Sequence, residues 1–399
     1  MTLTAKQEEG LRVAIARYKA GEKYTCIAGY AGTGKSTLVK FIIAALNVEP
    51  EEVSYVAFTG KAATVLQQKG CPNAITAHKL LYHSRKSEDD PTVYIHEPKS
   101  KLDEPYRIIV VDEISMLPKD MWNLLISHPV YVLALGDPFQ LPPVDKTQAN
   151  PVLDNPHVFL DEVMRQAQDS EIIQLSMHVR AGLPISTFKG NGAQVKIFSP
   201  QELSVGMLEW ADQVLCATND NRNEINRAVR AARGYGEEPI EGDKVIGLTN
   251  HWSFMSSENL VPLTNGQIGT LKNCRLKKKR LPNFIAPDKT MATLYSTVEI
   301  ENDAFIEVPI DYYCLKTGKA TLTDREQYLV KKYAKKCRLT PMFDFAYAYA
   351  ITCHKAQGSE WSKVLVIEEK YPFEKEEHQR WLYTACTRAS EKLVLITKD

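Results

Sequence analysis

The chain has 399 residues, of which 44% are hydrophobic and 25% charged, with Lys plus Arg balancing Asp plus Glu at 49 each. That length exceeds one ordinary core and suits two or three domains, and the composition excludes a fibre or a disordered tail. A formal net charge of zero excludes a global positive field, so any contact with nucleic acid must be local.

In chain order, "LTAKQEEGLRVAIARYKAG" has Thr4 in the N-cap position, Leu11, Ala14, Ile15 and Tyr18 at helical spacing, and Gly21 as a stop. A strand, a glycine loop and a helix follow in "KYTCIAGYAGTGKSTLVKFIIAAL", and "VSYVAFTGKAATVLQQKG" repeats the pattern. Strands alternating with helices predict a parallel sheet in an α/β domain. After "TAHKLLYH", residues 84–104 are polar except for "TVYIH", which alternates like a short strand in a small insertion. The sheet resumes with "YRIIVVDEISM" and "VYVLALGDPFQLPPV", and a second α/β region starts near 160. From about 241 to 343 the pattern is all-β, with turn signals such as "TNGQIG" and a helical pattern only at "TDREQYLVKKYAKK". It reads as a β domain inserted into the second α/β domain, which returns at 344.

No apolar stretch approaches the ~20 residues that span a bilayer, and the N-terminal segment lacks the layout of a signal peptide, so a cytoplasmic protein without membrane contact is expected. The eight cysteines lack Cys-x-x-Cys spacing and read as reduced, mostly buried thiols. Two short basic runs, "LKKKR" at 276–280 and "KKYAKK" at 331–336, read as solvated faces ahead of binding sites.

"GYAGTGKST" at 29–37 matches G-x-x-x-x-G-K-[ST] between an apolar run and a helix. Its glycines let backbone N–H groups approach phosphate oxygens, and the following helix presents its positive end. Gly29, Gly32, Thr33, Gly34 and Thr37 therefore belong to a phosphate cradle, with Lys35 reaching the β and γ phosphates and Ser36 ligating Mg²⁺. "RIIVVDEISM" ends an apolar strand in Asp112 and Glu113, where parallel sheets bind ligands. Asp112 is the candidate second holder of Mg²⁺, and Glu113 the group that orients or deprotonates the attacking water. In "LALGDPFQLPPV", Gln140 follows a strand by the spacing of a neighbour in the sheet and can reach the γ-phosphate, or simply sit in a Pro-rich turn.

The ordered set of motifs resembles the superfamily 1 helicases, most closely their 5′→3′ branch, the RecD and Dda-like DNA helicases. It comprises "LTAKQ", "GYAGTGKST", "AFTGKAATVL", "TAHKLL", "VVDEISM", "GDPFQLPPV", "LDEVMRQ", "AYAITCHKAQGSEW" and "LYTACTRA". The resemblance implies two RecA-like P-loop domains, the first with a small β-hairpin (pin) insertion and the second with an SH3-like β insertion. The implied boundaries are 1–159 with the pin at about 84–104, then 160–240 and 344–399, with the SH3-like part at 241–343. It further implies ATP and Mg²⁺ as cofactors, single-stranded DNA and duplex junctions as partners, replication or recombination proteins as further partners, and a monomer.

Roles follow from the same resemblance. Gln7 would read adenine, Gln140 would sense the γ-phosphate, and Arg165 and Arg388 would be arginine fingers that stabilise transition-state charge. Glu360 would meet the ribose hydroxyl, with Gln357 and Gly358 near the nucleotide. Strand contacts would come from Thr59, Lys61, Thr76 and His78, from Thr352 and His354, and from Asn265 in the turn "LTNGQIG". In the insertion Tyr94 or His96 would stack on a base, or the segment is a plain surface hairpin. Two positions depart from the pattern: Phe58 stands where relatives carry proline and is free to pack in the core, and Met164 stands where they often carry an aromatic that stacks on adenine. Competing readings are a P-loop switch in which ATP gates association with another protein, a translocase that strips proteins from DNA, and an RNA helicase.

Overall fold

The computed structural model describes residues 3–71, 73–86, 94–142, 150–258, 261–370 and 374–398. Its contacts divide the chain into two compact units. One gathers Met1–Arg85, Ile95–Leu203 and Cys353–Asp399, the other Lys86–Tyr94 and Ser204–Thr352.

The first unit is built on a six-stranded sheet in the order Ala74–Thr76, Val53–Ala57, Ile108–Val111, Tyr131–Gly136, Tyr24–Gly29, Val158–Leu160. Every neighbouring pair is parallel. The central strands Ile108–Val111 and Tyr131–Gly136 are buried along their whole length because both faces are covered. Ile108, Val110, Leu133 and Leu135 pack with Leu38, Val39 and Ile42 of the helix Lys35–Ala45. Ile109, Val111, Val132 and Ala134 pack on the opposite face with Leu80, Leu81, Trp122 and Leu125. The opening helix, Ala5–Lys19, starts at Thr4 through a capping box with Gln7. Phe58 packs against the cluster that holds Leu80 and Trp122. In the same unit Val195–Phe198, Ala389–Ile396 and Trp361–Ile367 run parallel, and the helix Lys375–Cys386 leads into the central one.

Within the 84–104 segment, strands Tyr82–Lys86 and Tyr94–Pro98 pair with each other, and residues 87–93 lie outside the described residues. The predicted "TVYIH" strand is thus present from Tyr94 onward.

The second unit pairs Gln213–Cys216 in parallel with Ala350–Thr352. It also contains an antiparallel five-stranded sheet in the order Asp303–Asp311, Thr290–Ile300, Ile268–Arg280, Lys244–Gly247, Phe345–Tyr347. This sheet runs past the expected limit of the β stretch at 343, because Phe345–Tyr347 pairs with Lys244–Gly247. The expected helix near 324 is two short ones, Asp324–Lys332 and Ala334–Cys337, and Tyr312–Thr317 adds a third. Six of the eight cysteines are buried and all eight are free. Among the described residues no helix is long and apolar enough to cross a membrane.

Candidate nucleotide site

The glycine loop joins the strand Tyr24–Gly29 to the helix Lys35–Ala45, with Gly34 at the N-cap and φ of 78°. A side chain there would be strained by the backbone and would also meet Gln7 Nε2 at 2.5 Å. Thr33 is buried and its hydroxyl donates to Tyr30 O at 2.8 Å, which pins the loop. Lys35 Nζ donates to Gly29 O at 2.6 Å and Tyr30 O at 3.0 Å. Burial pulls the Lys35 ammonium down from its ordinary range, and the nearby Asp137, Asp112 and Glu113 carboxylates push back. Ser36 and Thr37 sit in the first turn of the helix.

Asp112 and Glu113 follow the strand Ile108–Val111 at its carboxyl end. Asp112 Oδ1 accepts from the Glu113 N–H at 3.0 Å, and burial, with the Glu113 charge adding, raises the Asp112 carboxyl above the usual range against the pull of Lys35. Glu113 holds a left-handed backbone, φ 48°, an uncommon conformation for a side-chain-bearing residue. Its Oε1 lies 3.3 Å from Arg388 NH1, across 275 residues of sequence. Its Oε2 is buried and, among the described residues, receives no hydrogen bond.

Arg388 is 5% exposed and fully engaged: Nε donates to Thr384 O, NH1 to Ser359 O as well as Glu113, and NH2 to Thr387 Oγ1. A cavity of about 360 Å³ gathers Ser36, Asp112, Glu113, Gly358, Glu360 and Arg388. Gly358 has φ of 71°, and a Cβ there would lie 3.3 Å from Glu113 Oε2 and from Ala62 Cβ. The Glu360 carboxylate is met by Lys69 Nζ at 2.7 Å.

Several contacts at this site join motifs whose pairing the spacing does not reveal. Tyr383, 1% exposed, donates to Asp137 Oδ2 at 2.6 Å and accepts from the Ala31 N–H of the glycine loop at 2.8 Å. Leu141 is clamped through its backbone, its N–H on Thr384 Oγ1 at 2.9 Å and its carbonyl on Gln357 Nε2 at 2.6 Å. Arg380 NH1 donates to Pro138 O at 3.2 Å. The loop 137–141 is therefore held by the segment that carries Arg388. Burial raises the Asp137 carboxyl, opposed by Lys35 and the Tyr383 hydroxyl. Both Asp137 and Tyr383 stand inside quoted motifs, and that membership was the available signal.

The remaining candidates divide. Gln7 is buried, and its Nε2 donates to Thr33 O at 3.1 Å and Met164 Sδ at 3.2 Å, while Oε1 accepts from the Thr4 N–H at 3.0 Å. Gln140 is half-buried, its side chain makes no hydrogen bond among the described residues, and it is not among the residues that line the cavity. Thr59 and Thr76 are N-caps at the carboxyl ends of parallel strands, accepting from Ala62 N and Lys79 N at 3.2 Å each, so each hydroxyl proton stays free to donate. His78 lies beside Phe58 and Tyr82, and burial, with His96 nearby, pushes its imidazole down to about 4. His354 sits half-buried in the short helix Cys353–Ala356, and burial lowers its pKa too. Thr352, in the second unit, is 8% exposed and in register with Cys216. Asn265 stands in the turn before Gly266, its N–H on Asn250 Oδ1 at 2.7 Å. The side chains of Lys61, Tyr94 and Arg165 lie outside the described ones; the Arg165 backbone opens the helix Arg165–Gln168 after Met164, whose N–H donates to Gly32 O.

Two family models match this arrangement, an AAA domain over residues 2–197 and a UvrD-like helicase C-terminal domain over 347–396. They bracket the glycine loop and Arg388 respectively. The ATP-dependent RecD2 DNA helicase of Deinococcus radiodurans is 26% identical over 391 residues, which cover 94% of this chain and 47% of that protein. Through these matches the chain is similar to the RecD and Dda-like branch of the superfamily 1 helicases. The ATP-dependent DNA helicase dda of phage T4 is 28% identical over 147 residues, 36% of this chain and 33% of that protein. The chain thus spans about half the length of the first of these relatives and a third of the second. The fold is that of Pif1 helicases: the structure of Pif1 from Candida albicans matches with a TM-score of 0.50 at 20% identity, covering 100% of this chain and 95% of that one. A Pif1 structure at forked double-stranded DNA matches with a TM-score of 0.52 at 18% identity, covering 100% and 92%. The placement of Arg388 against Glu113 brings a basic group from late in the chain to the acidic end of the P-loop sheet.

Proposed function

We propose that the protein is an ATP-dependent DNA helicase that moves 5′→3′ along single-stranded DNA and unwinds duplex. The observation that carries the reading is the convergence of Ser36, Asp112, Glu113 and Arg388 on one cavity, with Lys35 at its phosphate loop. The names of the RecD2 and dda relatives support the same activity. We keep the division into two RecA-like domains with a pin and an SH3-like insertion as part of this proposal.

Ser36 and Asp112 fit a Mg²⁺ ion, since both line the cavity and the buried Glu113 Oε2 adds an unsatisfied acceptor beside them. Bound Mg²⁺ would neutralise phosphate charge as a Lewis acid. Lys35 exchanges the Gly29 and Tyr30 carbonyls for phosphate oxygens, and the backbone amides of the loop take the rest of that charge. Glu113 Oε2 accepts a hydrogen bond, and then a proton, from the attacking water. Arg388 turns from Glu113 toward the developing charge, which is the role of an arginine finger, and Arg165 is proposed as its partner. Glu360 takes the ribose hydroxyl and Gln7 the base. Thr59, Thr76 and His354 offer hydrogen bonds to the strand backbone.

The test is the rate of ATP hydrolysis with and without single-stranded DNA. Strong stimulation that vanishes in Lys35→Ala is expected; equal rates with and without DNA would remove the motor reading.

A further inference from the structure

The two basic runs that composition assigns to solvated faces form one surface in the second unit. Lys279 Nζ donates to Cys337 O at 2.8 Å and Arg338 O at 2.7 Å, so the end of the strand Ile268–Arg280 is tied to the end of the helix Ala334–Cys337. A small core fixes this union, with Leu281, Ile285 and Met291 from the strand ends packed on Leu322, Val330 and Leu339. Neither "LKKKR" nor "KKYAKK" contains a carboxylate. Arg275 is paired with Glu307 and Arg280 with Asp288. Lys277, Lys332, Lys335 and Lys336 are exposed and form no ion pair among the described residues, whereas Lys278 acts on the Glu238 carboxylate and Lys331 on that of Asp344. On a chain of zero net charge this is a local excess of positive charge.

Aromatic rings stand among these cations. Tyr328 is 61% exposed and Phe284 58%. Lys332 Nζ lies 5.9 Å from the centre of the Tyr328 ring, and Lys277 Nζ 5.0 Å from that of Tyr295. Phe284 meets Tyr333 edge-on at 5.1 Å, which leaves much of its own face to solvent. Duplex nucleic acid offers such a surface only phosphates. A single strand offers phosphates to the ammonium groups and unstacked bases to the rings, so it uses both features.

We infer that this face, the end of the Ile268–Arg280 strand together with the helices at 324–337, is an auxiliary binding surface for single-stranded nucleic acid. It lies wholly within the second unit, whereas Thr59, Thr76 and His354 belong to the first. The inference rests on the nucleic-acid reading above only for its biological use. Its physical basis is the charge and the exposed rings. A strand held here adds phosphate contacts without adding any group to the hydrolytic cavity. Affinity and salt dependence therefore change with this face, while turnover at saturating DNA does not.

The experiment compares the whole chain with Lys277→Ala/Lys332→Ala/Lys336→Ala and with Tyr328→Ala, all surface changes. Binding of a fluorescent oligothymidylate is followed by anisotropy across a salt series, and ATP hydrolysis is measured at saturating oligonucleotide. The triple variant is expected to flatten the plot of log affinity against log salt by about 2, at ~0.7 per phosphate contact on a single strand. Tyr328→Ala should weaken binding roughly fivefold or more with an unchanged slope, as expected for a lost stacking contact. Wild-type slope and affinity in the triple variant would overturn the inference, as would loss of duplex binding with single-strand binding intact. Failure of DNA to stimulate hydrolysis in the wild type would instead count against the motor reading and leave the anisotropy result to stand by itself.

Discussion

Tyr383→Phe removes one oxygen atom and two hydrogen bonds at the centre of the site. The hydroxyl donates to Asp137 Oδ2 at 2.6 Å and accepts from the Ala31 N–H at 2.8 Å. A hydrogen bond to a charged group contributes about 1.5–3 kcal/mol, and an orphaned buried amide costs about 1–3 kcal/mol. Burial raises the phenol above its ordinary range, so it remains a donor throughout the working pH range. Without it, the Asp137 carboxylate depends on Lys35, its largest opposing charge, and draws that ammonium away from the phosphate. If about 2 kcal/mol of the loss falls on the transition state, kcat drops roughly 30-fold, at ~1.4 kcal/mol per factor of ten. KM for ATP should move little, because the cavity walls are untouched. Steady-state hydrolysis at saturating single-stranded DNA, with circular dichroism to confirm folding, measures it. A folded Phe variant with kcat within about twofold of wild type would refute the positioning role given to Tyr383.

Arg388→Ala should lower kcat on the order of 10³-fold, the scale of a lost arginine finger, in the same assay, and a tenfold or smaller loss would assign Arg388 to structure. Gly358→Ala places a methyl 3.3 Å from Glu113 Oε2 at a φ of 71°, so a stability loss of about 1 kcal/mol with reduced hydrolysis is expected from denaturant melts and turnover. His78 and His251 are held neutral mainly by burial, both pushed down to about 4 from 6.5. The folded pKa of each is depressed, so the unfolded chain binds more protons between those values and stability falls as pH drops from 6.5 toward 4. The effect is at most about 3 kcal/mol per histidine. His251→Phe, which keeps the stack on Phe343, should flatten part of that decline in urea midpoints, and an unchanged pH slope would contradict the assignment.

What could be read in advance was what lies close in sequence. The glycine loop, its flanking strand and helix, and the acidic pair at the end of 108–111 are local patterns, and both-face burial explains why the strand 108–111 is apolar throughout. The opening helix was legible through Thr4 and Gln7, whose reciprocal cap is a four-residue signal. Tyr383 with Asp137, and Gln357 and Thr384 with Leu141, join segments more than 200 residues apart, and one sequence holds no measure of that proximity. The strained backbone of Glu113 was equally hidden, since glutamate has no preference for a left-handed conformation and tertiary packing imposes it. Thr59 and Thr76, read as strand contacts, are also helix caps, because a threonine between a strand and a helix satisfies an orphan amide there and keeps its hydroxyl proton to donate. The basic runs are exposed, as their composition suggested. What the sequence does not show is the bond from Lys279 to the carbonyls of residues 337 and 338, which joins the ends of the two runs.

The central claim, that ATP hydrolysis drives directional strand separation, is tested most directly by unwinding of duplexes carrying a 5′ or a 3′ single-stranded tail. The account predicts ATP-dependent separation from the 5′ tail alone, abolished in Lys35→Ala. Equal separation from a 3′ tail, or none from either tail while ATP is hydrolysed, would contradict it.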